Sequence, residues 1–161
     1  MMRMLALCLC VMPSLGQALS CLPWGVTDAY LQADRSDASY IPVIGTLDFD
    51  ENALPLARLK NPDDLPKDTT IPATFDGLAM VRRGADAPFA TDLTLRVECA
   101  AHWCGGATPG KVLAFLRKDG DAYTLGSGPC GGYVFSAPDR ATIKKVRQCL
   151  KGRACAPSAL R

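Results

Sequence analysis

Apolar residues recur along this chain in two rhythms, one of helices and one of strands. In "PWGVTDAYLQAD" (23–34), Val26, Tyr30 and Ala33 stand at i, i+4 and i+7, which predicts one face of a short helix. "SYIPVIGTLDFD" (39–50) then alternates, with Ile41, Val43, Leu47 and Phe49 on one face and Gly45 in the same row. A glycine inside a strand marks a bend or bulge, so a sharply coiled first strand is expected. Residues 51–68 carry Pro55, Pro62 and Pro66 among charges and read as a loop. "TTIPATFDG" (69–77) alternates Ile71, Ala73 and Phe75. It ends on Asp76-Gly77, a turn pair, with "LAMV" as a hairpin partner.

"TDLTLRVEC" (91–99) is the cleanest alternating strand, with Leu93, Leu95, Val97 and Cys99 inward. "KVLAFL" (111–116) is continuously apolar and suits a central strand covered on both faces. Asp119-Gly120 turns it into a strand from Ala122 to Leu125, and the glycine-rich "GSGPCGGYVFS" (126–136) reads as its bulged continuation. No Lys-Ser/Thr follows those glycines, so this is not a phosphate loop. "SAPDRATIKKVRQCLKG" (136–152) predicts a closing helix, with Ser136 and Asp139 as a capping box and Gly152 as the stop. Ile143, Val146 and Leu150 line its buried face. Lys144, Lys145, Arg147 and Lys151 form a solvated one. The order of helix, some five strands and helix predicts a mainly β fold with flanking helices: a five-stranded OB-type Greek-key barrel with short N-terminal and C-terminal helices.

The first twenty residues stand apart. "MMRMLALCLCVMPSLGQALS" has one positive charge, Arg3, an apolar run from Met4 to Met12, then Pro13, Gly16 and a small-x-small ending at Ala18 and Ser20. That is the order of a secretory signal peptide. The run is shorter than the ~20 residues that span a bilayer. Cleavage after Ser20 leaves a single domain, residues 21–161. It has 17 Lys plus Arg against 16 Asp plus Glu once Arg3 is removed. With this near-neutral balance nothing argues for a nucleic-acid or acidic-membrane partner. Few Asn and Lys beside many Ala, Asp and Arg point to a GC-rich bacterial source, hence a periplasmic or secreted product.

Cys8 and Cys10 leave with the leader, and Cys21, Cys99, Cys104, Cys130, Cys149 and Cys155 remain. An even count behind an export signal reads as three disulfides, whose pairing the sequence leaves open. Lipidation of Cys21 would leave an odd number of thiols, so a lipid-anchored envelope protein is the alternative reading. "CAAHWC" (99–104) lacks the paired C-x2-C spacing of zinc sites, and His102 is the chain's single histidine. Oxidised cysteines neither ligate zinc nor attack carbonyls. The reading is therefore of a protein that is not an enzyme and has no cofactor and no metal of its own. Trp24 and Trp103, each near a cysteine, are expected to pack in the core against disulfides.

One further set of features bears on function. The domain begins at Cys21 and runs through "YIPVIGTLDF", "ATFDG", "LTLRVECAAHWCGG", "VLAFL" and "YTLGSGPC" into a final helix. From residue 21 to about 150 this order resembles the netrin-like module, the OB fold shared with tissue inhibitors of metalloproteinases. The resemblance implies a bond from Cys21 to Cys104, the Cys-Gly cysteine. It implies binding through Cys21 and Leu22, with the Cys21 amine and carbonyl on a partner protease's zinc and Leu22 in the adjacent pocket. The family's Cys-x-Cys start is broken by Pro23, which deprives Cys130 of its family partner and leaves it to Cys99, with Cys149 and Cys155 pairing locally. The function implied is an exported, non-catalytic, protein-binding domain whose partner is a zinc metalloprotease.

Overall fold

A computed structural model describes residues 21–55 and 64–158. The leader assigned to residues 1–20 and the middle of the 51–68 loop lie outside the described residues. Helix α1 (Val26–Arg35) is followed by β1 (Ser39–Phe49), β2 (Asp68–Ala79), β3 (Ala87–Ala100) and the short β4 (Trp103–Cys104). Next come β5 (Gly110–Asp119), β6 (Ala122–Gly128), β7 (Gly131–Gly132), β8 (Val134–Ser136) and helix α2 (Arg140–Leu150).

Five strands close a barrel in the order β1-β2-β3-β6-β5 and back to β1. All neighbours are antiparallel except β3 and β6, whose parallel pairing closes the sheet from Thr94 opposite Thr124 to Val97 opposite Ser127. This is the OB-type Greek-key order, and closure removes most free edges. Alternate side chains fill the interior: Val43, Leu47 and Phe49 from β1, Ile71, Ala73 and Phe75 from β2, Leu93, Leu95 and Val97 from β3. Strand β5 contributes Val112, Ala114 and Leu116 to this core and turns Leu113 and Phe115 outward. The outward pair is covered by Ala29, Tyr30 and Ala33 of α1 and by Val146, Cys149 and Leu150 of α2. The continuous apolar run of β5 follows from this burial on both faces.

The bend expected at Gly45 is a close approach of two strands. Gly45 is paired with Gly77 across β1 and β2, and a Cβ on Gly45 would overlap the Asp76 carbonyl oxygen. This corrects the reading of Asp76-Gly77 as a turn. β2 runs straight through it to Ala79, because the glycine serves strand contact rather than chain reversal. The reversal comes later, between Met80, which is buried under the helices, and Ala87. There Gly84 has φ +90° and the Asp86 carboxylate accepts from the Val81 N–H at 3.4 Å.

The Asp119-Gly120 hairpin forms as predicted, with Gly120 at φ +63° between β5 and β6. The α2 cap differs. Ser136 is the last residue of β8, paired with Val112, so Asp139 alone is the N-cap, accepting from the Thr142 N–H at 2.7 Å. Gly152, at φ +68°, ends the helix as expected. Among the described residues no helix is long and apolar enough to cross a membrane.

Candidate functional site

The N-terminal segment Cys21–Trp24 lies against the turn between β6 and β7. Cys21 is bonded to Cys130 in that turn, with Cα atoms 5.1 Å apart. The Trp24 indole Nε1–H donates to the Gly132 carbonyl at 2.9 Å. Beneath the indole is Gly131, whose φ of +144° already favours glycine and whose Cβ would stand 2.6 Å from the ring. Sulfur and indole therefore strap the segment down at two points. Between them Leu22 projects into solvent at 74% exposure, the highest of the large hydrophobic residues among those described.

The other side of β6 holds a second segment. Ser127 is buried, and its hydroxyl accepts from the Gly106 N–H at 2.9 Å and donates to the Gly106 carbonyl at 2.7 Å. That contact docks the chain after the β3–β4 hairpin, where Cys99 and Cys104 face each other as a strand pair and form a disulfide. A cavity of about 350 Å³ opens beside the strap, bordered by Trp24, Gln32, Glu98, Cys130 and Tyr133. A larger shallow hollow of about 630 Å³ shares Trp24, Gln32 and Tyr133 and extends along α1 to Arg35 and Pro157. Tyr133 stacks on Tyr40 with ring centroids 4.8 Å apart. Burial, then its hydrogen bond with Tyr40, raises the Tyr133 hydroxyl pKa, so it stays protonated at neutral pH.

The disulfides change two expectations. The bonds implied for Cys21 with Cys104, and for Cys130 with Cys99, do not form. The observed pairs are Cys21–Cys130, Cys99–Cys104 and Cys149–Cys155, the last as expected. The reason is geometric. The tight β3–β4 hairpin places Cys99 and Cys104 within 4.0 Å at Cα, which commits both sulfurs locally and leaves the β6–β7 turn to Cys21.

The tryptophans also depart from expectation. Trp103 is 63% exposed, on a two-residue strand at the end of its hairpin, and Trp24 is at the surface at 36%. Trp24 adjoins a disulfide, but the glycine backbone under it offers no side chains to cover it. His102 lies exposed in the turn of the β3–β4 hairpin. Cys149 and Cys155 join α2 to the chain beyond it, within the helix layer.

Of the residues that build this site, the sequence pointed to Cys21, Leu22 and Cys130. It missed the roles of Trp24, Gly131 and Ser127. Glycine density around Cys130 was the available signal for close backbone contact there, but nothing local marks Trp24 as the contacting ring. Among the described residues no three His, Cys, Asp or Glu side chains are placed to hold a metal ion. Compared with protein-family models, curated proteins and solved structures, the chain matches none.

Proposed function

We propose that this is an exported, non-catalytic, netrin-like domain that binds a protein partner through the strapped N-terminal edge, and that the partner is a zinc metalloprotease. The observation that carries the reading is the combination at Cys21 and Leu22. The first residue of the proposed mature chain is fixed through its sulfur, and the next side chain is held out in solvent. A rigid segment loses little conformational entropy on binding, and an exposed aliphatic side chain gains by entering an apolar pocket. Cleavage before Cys21 gives it an amine that, with its carbonyl oxygen, can fill the open coordination position of a catalytic zinc. Three disulfides suit an oxidising compartment. A thioether-linked lipid would need the Cys21 sulfur that the Cys130 bond already uses, which argues against the lipid-anchored alternative.

The test is inhibition of zinc metalloproteases by residues 21–161 with a free Cys21 amine, beside the same chain extended by one N-terminal alanine. The extension removes the amine from the zinc and leaves the disulfides and barrel unchanged. Inhibition lost on extension is the expected result. Equal inhibition by both proteins, or none by the unextended chain, overturns the reading.

A further inference from the structure

The near-zero formal charge of residues 21–161 conceals a segregation. Seven Lys and Arg residues follow Asp139 and no Asp or Glu does, while the 21–139 stretch holds 10 basic residues against 16 acidic ones. The fold turns this into a surface. Arg140, Lys144, Arg147 and Lys151 stand at i, i+4, i+7 and i+11 of α2 and its C-cap, so they share one stripe, and all four are exposed. At 1.5 Å rise per residue the stripe is about 16 Å long. The loop between β2 and β3 lies beside it. Arg147 donates to both carboxylate oxygens of Asp86, at 3.1 and 2.5 Å, and Lys151 acts on the same carboxylate. Asp86 is the acid of that contact, and its side chain is almost fully buried and neutralised there. In the same loop Arg82 and Arg83 are exposed, and Arg82 borders a hollow with Tyr30, Asp34 and Leu150.

We propose that this cationic stripe docks the domain on the headgroups of an anionic phospholipid bilayer. Two features favour a flat polyanionic surface over a protein groove. The stripe is straight and lies on a regular helix. None of the exposed large hydrophobic side chains, Leu22, Trp24, Leu78 and Trp103, belongs to α2, whereas protein interfaces centre on such anchors. Binding of this kind is peripheral, reversible and salt-sensitive, because clustered Lys and Arg add their attractions near the surface and salt screens them.

The test is co-sedimentation of residues 21–161 with vesicles of phosphatidylcholine alone or mixed with phosphatidylglycerol, at low and high salt. Binding is expected only with phosphatidylglycerol and should fall with added salt. The triple variant Arg140→Gln, Lys144→Gln, Lys151→Gln should weaken it about a hundredfold, at roughly fivefold per cation. The triple variant Lys67→Gln, Arg96→Gln, Lys118→Gln removes the same charge from solvent-accessible positions outside α2 and should bind as the parent does. No binding to the anionic vesicles overturns the proposal. Equal loss in both variants does so too, because it reports net charge rather than the stripe. Capture of an acidic protein by the stripe without vesicle binding likewise overturns it.

Discussion

Removing the Cys21–Cys130 bond tests both the fold and the proposed contact edge. The perturbation is Cys21→Ala with Cys130→Ala, which leaves no free thiol. The bond joins residues 109 apart in sequence, whereas Cys99–Cys104 and Cys149–Cys155 span 5 and 6. On the chain-entropy model the long closure restricts the unfolded state by about 5 kcal/mol and each short one by about 2 kcal/mol. The full value will not be reached. Without its bridge Cys21 and Leu22 regain freedom in the folded state, at roughly 1 kcal/mol each, while the ring of Pro23 leaves it little to regain, so a net loss of about 3 kcal/mol is expected. Trp24, held by Gly132, limits the fraying to those few residues. Guanidinium unfolding of this variant and of the two matching double-alanine variants gives the comparison. A loss of 3 kcal/mol corresponds to about 10 °C in Tm for a domain of this size. The denaturant slope should also rise, because the unfolded chain expands when the long crosslink goes. A loss no greater than that of the Cys149→Ala, Cys155→Ala variant would refute the reasoning. So would peptide mapping that finds Cys21 bonded to Cys104.

Other consequences are local. The Asp86 carboxylate is held below the usual carboxylate range by hydrogen bonds from Arg147, which outweigh its burial. Its contribution is therefore present above the ordinary carboxylate pKa of about 4 and fades as pH falls through that range toward its lower folded-state value. Asp86→Asn should cost about 1–2 kcal/mol at neutral pH and flatten the acid limb of a stability-versus-pH curve; a limb parallel to the parent's would count against this. Gly131→Ala should cost about 1–3 kcal/mol from its backbone conformation alone. It should also displace the indole, read as a red shift of Trp24 emission in a Trp103→Phe background. Ser127→Ala leaves the Gly106 N–H and carbonyl without their partner, at about 1–2 kcal/mol. Faster hydrogen exchange at Gly106 is the specific readout, and unchanged exchange would show that this bond does not dock the segment.

The amino-acid order by itself determined most of the secondary structure. The alternation at Leu93, Leu95 and Val97 and the unbroken run at 112–116 both reflect which faces are buried, and burial is written into periodicity. The Asp119-Gly120 hairpin and the Gly152 stop were legible because each depends on a few adjacent residues. The cysteine count was legible too, but the pairing was not. Tertiary structure decided that the β3–β4 hairpin closes Cys99 onto Cys104, and so that Cys21 meets Cys130. It decided that Gly77 faces Gly45 across two strands rather than opening a turn, and that Trp24 rests on bare glycine backbone at the surface. It also gathered the late basic residues into one stripe beside the β2–β3 loop. These outcomes share a cause. Periodicity reports whether a side chain is buried, whereas the identity of what buries it depends on strands and loops far apart in the chain meeting in one register.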